Sequence, residues 1–469
     1  MGCRPAGQFQ EGRLAVTKFR VQSAFNERLR RPGSATRLSR LRREMEARKV
    51  LSTRDDVRLP PMAAPLLLDR EQSAYLRHAS ERLVALLTTE LGRYVPHEPD
   101  LLDALRIGAE LRPFLRDALS TNVTVARCDF LWSAEGWKVV EVNIGGAVGG
   151  LDVLDYNELA EADPAIGPFL REHGLSAGSP IAALADAALA ACARLGTASS
   201  RPVLAIVDSP TYEPLFHLAH RTLARHYAAR GFRVVIRHQR RLSLRDGHLY
   251  ADDTHVDLVH RQFIIEDMLE EPAAAVPVFE AARAGNVAIV TGFREEFLGG
   301  KGMLAILRAA AERGVLPADD ARLMRAVVPE TYLLHRPAGR AFAGSGDGHD
   351  RLRHPGAARE WVVKPSIGSS GGEVTLGPAV DDETFQAAVA AATVSNQAWV
   401  AQRYVPSDLV DLPFLQGQEL TFRGCQIHPS FFVTQGRTTG AWTRVVPGRK
   451  PGLIAMANGA LYGGVFLED

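Results

Sequence analysis

Hydrophobic and polar positions change period several times along the chain, and each change marks an element. From Leu68 to Ser120 apolar residues recur every three or four positions, as in SAYLRHASERLVALLTTEL, which predicts helices. RCDFLWSAEGWKVVEVNIGGAVGG, residues 127–150, alternates with period two and predicts a β-hairpin. After a helical stretch, IAALADAALAACARLG, the pattern changes again at about Arg201. There PVLAIVD predicts a buried strand, YEPLFHLAHRTLARHYAARG a helix, FRVVIRH a strand, LSLRDGHLYADD a hairpin on an Asp-Gly turn, and VDLVHRQF and NVAIVTGF two further strands. That succession predicts a small doubly wound α/β unit. Beyond it GGKGMLAILRAAAERG reads as a helix, AGSGDGHDRLRHPGAA as a flexible loop, and the remainder as mostly strands with glycine turns.

The hairpin carries unusual polar chemistry. Val125, Arg127 and Asp129 share one face of its first strand, and Val139, Glu141 and Asn143 one face of its second. A three-residue loop of Ala134, Glu135 and Gly136 sets Ser133 opposite Trp137, Asp129 opposite Glu141 and Arg127 opposite Asn143. Like charges directly opposite destabilise a sheet unless compensated, and a hard cation such as magnesium, with oxygen ligands from Asp129, Glu141 and Asn143, would compensate them. The plainer alternative is a strand whose acids point to water.

Composition narrows the partners. With 469 residues, 46% hydrophobic and 23% charged, the chain fits a soluble enzyme of two or three packed units. A net charge of +1 supplies no field for nucleic acid or an anionic membrane, so small-molecule partners are expected. A nucleic-acid role would rest on the arginine-rich first sixty residues alone, which read as a basic helix or arm packed on the surface with a solvated face. Four dispersed cysteines suggest neither a zinc site nor a disulfide framework, and no signal peptide or membrane span is read, so a cytoplasmic location is expected. Oligomeric state stays open, a homodimer included.

In EWVVKPSIGSSGGEVTLG a strand carrying Lys364 runs into a loop of Gly368, Ser369, Ser370, Gly371 and Gly372. Glycines let backbone N–H groups close on phosphate oxygens and the lysine supplies a charge, so a nucleotide fits, although a plain turn has the same pattern. Neither this loop nor GGKG around Lys301 is a Walker A motif, since Gly302 stands where the hydroxyl belongs.

The order of these parts resembles the ATP-grasp ligases, in which two lobes clamp ATP between β-sheets. The acidic hairpin comes early here and the glycine loop late, which resembles the circularly permuted branch that includes the amide-forming domain of glutathionylspermidine synthetase. Its Arg-x-Asp…Glu-x-Asn element is matched at Arg127, Asp129, Glu141 and Asn143. The resemblance extends through FLGGKGMLAIL, WVVKPSIGSSGGEV, WVAQRYV and GAWTRVV…NGALYGG. Gly300 stands where a polar residue such as asparagine is expected.

The resemblance implies an α/β (α+β) fold: a permuted two-lobed clamp with a pre-ATP-grasp α/β unit and a helical N-terminal region. The expected divisions are a basic arm over 1–60, helices plus metal hairpin over 61–199, the α/β unit over 200–295 and the nucleotide-binding part over 296–469. It further implies ATP and Mg2+ as cofactors, with Asp129, Glu141 and Asn143 on the metal and Arg127 on the transferring phosphoryl group. Lys301 and Lys364 would bind the α- and β-phosphates, Gly368 to Gly372 would cover them, and Gln402, Arg403, Tyr404 and Val405 would form the adenine hinge. Arg444 would stabilise the tetrahedral intermediate, and Asp257, His260 and Arg261 would line a substrate pocket. The implied activity joins a small-molecule carboxylate to an amine through an acyl phosphate, as in peptide or natural-product biosynthesis. An ATP-grasp kinase and a non-catalytic nucleotide-binding protein are the alternatives.

Overall fold

The computed structural model describes residues 19–115, 119, 121–196, 200–354, 356–368, 373–449, 451–455 and 458–469. It shows a mixed α/β fold built around three principal sheets. In the largest, of eight strands, Leu66–Leu68, Leu461–Glu468, Arg437–Pro447, Glu419–Thr434, Val125–Ser133 and Gly136–Ile144 lie side by side in that order. The early hairpin is thus a continuation of the late strands: Ser430 faces Asp129 and Phe432 faces Arg127. Among the described residues no helix is long and apolar enough to cross a membrane.

The hairpin keeps the expected pairing at its polar residues, with Arg127 opposite Asn143 and Asp129 opposite Glu141. Its turn differs. Ser133 pairs with Gly136, leaving two residues in the loop, and a bulge at Val140 between the Asp129 and Phe130 pairs absorbs the offset. Gly136 takes the left-handed φ of 92° that the turn requires.

The second sheet is parallel, ordered Asn122–Val123, Ala288–Val290, Leu258–Arg261, Val203–Asp208 and Arg233–His238. Its strands are near-continuous apolar runs because helices cover its faces. The Asp-Gly hairpin forms beside it, Leu242–Arg245 against His248–Ala251. The third sheet, antiparallel, orders Thr331–Leu333, Trp399–Arg403, Trp361–Pro365 and Thr375–Leu376, and has its own core around Tyr332, Trp361, Val363 and Phe385.

The basic N-terminal segment packs on the surface as helices: over its described part, Arg20–Leu29 and Ser34–Ala47 bury Phe25, Leu29, Leu38, Leu41 and Met45 to 4% exposure or less. Its arginines form the opposite, solvated face, paired with Glu27, Glu44 and Glu46. The stretch 343–358, expected to be a flexible loop, is packed at its described positions, with Ser345 and Leu352 fully buried and a helical turn at Gly348–Arg351.

Candidate functional site

Strand geometry gathers the polar residues on one face of the largest sheet. Residues opposite each other in a sheet share a face, so Arg127, Asp129, Glu141 and Asn143 from the hairpin share it with Ser430, His428, Trp442 and Arg444 from the late strands. Asp129, 0% exposed, lies at the centre. Its carboxylate accepts hydrogen bonds from Arg127 Nε at 2.7 Å and Nη2 at 2.8 Å, and from Arg444 Nη2 at 3.1 Å. Burial alone would raise its pKa; the two guanidiniums outweigh burial and hold the carboxyl well below the usual range.

Lys301 compensates the second acid. It opens the helix Lys301–Glu312, whose first amides are bound by Ser366: Lys301 N–H donates to Ser366 O at 2.7 Å and Gly302 N–H to Ser366 Oγ at 3.1 Å. A Cβ on Gly302 would overlap Ser366 Oγ, which is why glycine stands there. Lys301 Nζ reaches Glu141 Oε1 at 2.7 Å and Gly368 O at 2.8 Å. Burial pushes Glu141 up, but Lys301 prevails and brings it down to about 2. Arg127, Arg444 and Lys301 thus compensate the facing acids in the protein itself.

Lys364 links this face to the third sheet. Its Nζ donates to Val140 O and to Gln402 Oε1, both at 2.9 Å, and Gln402 Nε2 donates to Thr331 Oγ1 at 3.1 Å. Burial, with the nearby charge of Lys301, presses Lys364 down to about 8. Burial and Arg127 likewise lower Arg444. Four basic side chains thus surround two acids. His428 adds no charge, since burial and Arg444 push it down to about 3. The net excess of two positive charges in a buried site suits an anion.

These groups open onto a cavity of about 550 Å³ lined by Arg127, Asn143, Lys301, Gly368 and Arg444, by Gly145–Gly150, and on its far side by the α/β unit. Arg127 Nη1 holds the glycine run, donating to the carbonyls of Val148 and Gly149.

Not every expected residue joins in. The Arg403 side chain turns away to Glu360 at 2.6 Å, and the Arg403 and Tyr404 amides donate to Glu330 O and Glu360 O, each at 2.7 Å. Val405 is buried. Ser369, Ser370, Gly371 and Gly372 lie outside the described residues. Asp257, His260 and Arg261 do not line this cavity. Asp257 accepts from Val203 N–H at 2.7 Å and borders a separate depression. His260 Nε2 hydrogen-bonds Gly146 O at 3.0 Å, and Arg261 binds the carbonyls of Phe263, Thr291 and Gly292, so both are buried supports.

Sequence reasoning missed His428, Ser430 and Trp442. Both ring nitrogens of His428, Ser430 Oγ and Trp442 Nε1 are buried without a hydrogen-bond partner among the described residues. Their place on this face depends on pairing with a strand some 300 residues away, which no local pattern shows.

The oxygen donors Asp129, Glu141 and Asn143 suit a hard cation in kind. No group of three or more His, Cys, Asp or Glu among the described residues forms a ready metal cluster. The fit to magnesium therefore needs the Asn143 amide and an anion that draws Arg127 and Lys301 toward itself.

No known protein family matches the chain, and no curated protein matches it. Among solved structures it is similar to a glutathione synthetase-like effector, GSS30, from Globodera pallida in its apo form. The TM-score is 0.56 at 13% identity, over 92% of this chain and 96% of that one. It is also similar to a protein described as a gamma-glutamylcysteine synthetase from Methylobacillus flagellatus KT, with a TM-score of 0.40 at 12% identity over 83% and 87%. The first likeness shows a shared, synthetase-like fold along nearly the whole chain.

Proposed function

We propose that this protein is an ATP-dependent carboxylate–amine ligase with a circularly permuted ATP-grasp arrangement. The observation that carries the reading is the surplus of buried positive charge: Arg127, Lys301, Lys364 and Arg444 around Asp129 and Glu141, with Arg127, Lys301 and Arg444 lining one cavity. Magnesium-bound ATP carries roughly two net negative charges, which would balance the surplus. Support also comes from the fold shared with a glutathione synthetase-like protein.

In this reading Lys301 and Lys364 bind the nucleotide phosphates, and Arg127 and Arg444 hold the phosphoryl group and carboxylate. Both guanidiniums are kept in place by Asp129. Asp129, Glu141 and Asn143 would hold Mg2+, which when bound supplies charge neutralisation at the phosphate oxygens. Gln402, which Lys364 holds, borders the nucleotide base. The carboxylate takes the γ-phosphoryl group, and an amine displaces phosphate to give an amide.

Purified protein with ATP and Mg2+, assayed for free phosphate against a panel of carboxylates and amines with mass spectrometry of each mixture, tests this. Phosphate release that needs both partners, with a product lighter than their sum by one water, is expected. A phosphorylated product without free phosphate would replace the ligase with a kinase.

A further inference from the structure

The cavity has two ends of opposite charge. Arg127, Lys301 and Arg444 line one, and Asp152, Asp208, Glu266 and Asp267 the other. The acidic end is built by the parallel sheet at the place where its strand order reverses: Arg233–His238 flanks Val203–Asp208 on one side and Leu258–Arg261 on the other. In open parallel sheets the crevice beyond the C-terminal strand ends at such a reversal is where ligands bind. Asp208 ends one of these strands, Gln262 follows the other, and both line the cavity.

The acidic side chains differ in how they are occupied. Asp208 pairs with His220 Nε2 at 3.1 Å, and Asp267 accepts from Ile264 N–H at 2.8 Å. His220 is 1% exposed, and its Nδ1 has no partner among the described residues. Asp152 has no ion pair among the described residues, and its carboxylate accepts a hydrogen bond only from its own backbone N–H. Burial, with Asp155 one turn on, pushes its carboxyl up to about 6. Asp155 is itself taken by Arg225 and His226. The charged and titratable groups around Asp152 are thus Asp155 on its own segment, His220, Arg225 and His226 on helix His217–Ala229, Asp208, Glu266, Asp267 and Glu296 across the cavity, and Arg127, Lys301 and Arg444 at the basic end.

Asp152 is also tied to the basic end. Arg127 holds the Gly149 carbonyl at 3.2 Å, three residues earlier, and three residues span at most about 11 Å. Tyr212 and Phe216, 41% and 39% exposed with ring centroids 6.0 Å apart, add aromatic faces to the acidic end.

We infer that the acidic end is the acceptor subsite of the proposed ligase, taking the attacking amine, with Asp152 as the base that accepts its proton. This rests on the ligase reading. The amine nitrogen forms a bond to the acyl carbon, the bond from that carbon to the phosphate oxygen breaks, and phosphate leaves with the electron pair. Asp152 takes the proton that the bound ammonium loses to free its lone pair, and the second proton, displaced from nitrogen as the amide forms, leaves on the departing phosphate. Asp208 and Asp267 hold the amine's positive charge before attack, and Tyr212 and Phe216 flank its carbon skeleton.

Hydroxylamine separates the two half-reactions, because it is nucleophilic at neutral pH without a base. The full-length protein, ATP and Mg2+ are incubated with the twenty amino acids and a set of dicarboxylic acids as carboxylates. The nucleophile is either hydroxylamine, read as hydroxamate, or a primary-amine panel, read as amide. Asp152→Asn is expected to form hydroxamate near the wild-type rate and to lose amide formation about a hundredfold or more. Asp152→Glu should restore part of it with a shifted acid limb in the kcat/KM profile. An equal loss of both products in Asp152→Asn, or no loss of either, overturns the inference and leaves the ligase standing. Wild-type protein that makes neither hydroxamate nor amide overturns the ligase reading itself.

Discussion

Arg127 grips Asp129, two residues along the same strand, through one edge of its guanidinium, Nε to Oδ1 at 2.7 Å and Nη2 to Oδ2 at 2.8 Å. A bidentate pair of this kind fixes the plane of both groups. The same arginine reaches back to the carbonyls of Val148 and Gly149. One side chain therefore connects the acid at the centre of the site to the glycine run that walls the cavity.

Asp129→Asn is expected to abolish turnover and also to destabilise the protein by roughly 3–5 kcal/mol, because it strips the countercharge from two buried guanidiniums. Thermal unfolding followed by circular dichroism measures the second effect. An unchanged midpoint would show that Arg127 and Arg444 do not depend on this carboxylate.

Glu141 contributes acid-sensitive stability. Its folded pKa, about 2, lies below the ordinary 4.5. The contribution is therefore present above about pH 4.5 and is lost as pH falls toward 2. The urea midpoint of Glu141→Gln should fall less steeply than that of the wild type across that window, and parallel curves would contradict the Lys301–Glu141 pairing.

Lys364 works in the opposite sense. Its folded value of about 8 lies below the ordinary 10.5, so burial of its charge costs stability below pH 8, and that cost fades as pH rises toward 10.5. Nucleotide binding needs the charged form. ATP affinity should therefore decline above about pH 8 in the wild type, and less in Lys364→Arg, whose charge does not titrate there. Calorimetric titrations at pH 7 and 9 compare the two.

A methyl group at Gly146 would overlap the carbonyl oxygens of Arg261 and Val290, both backbone atoms of the parallel sheet. Gly146→Ala should cost about 1–3 kcal/mol by overpacking and displace the glycine run. A fall in thermal midpoint, with weakened substrate binding in the protein that remains folded, is the expected result. Gly145→Ala, where a Cβ meets nothing nearer than Glu296 Cγ at 3.7 Å, serves as the milder comparison.

Much of this was legible in the amino-acid pattern. The period-two alternation around Asp129 and Glu141 placed them correctly opposite each other, although the turn had two residues where three were expected; the bulge at Val140 cancelled the difference. Lys364 stood out on a strand before a glycine loop and Gln402 through the family resemblance, and the two do meet. What stayed hidden was set by distant pairing. His428 and Ser430 reach the site through strand contacts across the length of the chain. Asp152 gains its setting from the cavity rather than from its neighbours. The arginines of the first helices masked the apolar stripe of Phe25, Leu38 and Met45, because their charge dominates any average over the segment.

The central claim is that the buried positive groups around Asp129 and Glu141 form the site for magnesium-bound ATP. The most direct measurement is calorimetric titration of ATP into wild-type, Lys301→Met and Glu141→Gln protein, with Mg2+ and with chelator. Saturable binding that weakens at least about tenfold on chelation and in each variant is predicted. Equal affinity in all of these conditions, or no ATP binding by the wild type, would contradict the account.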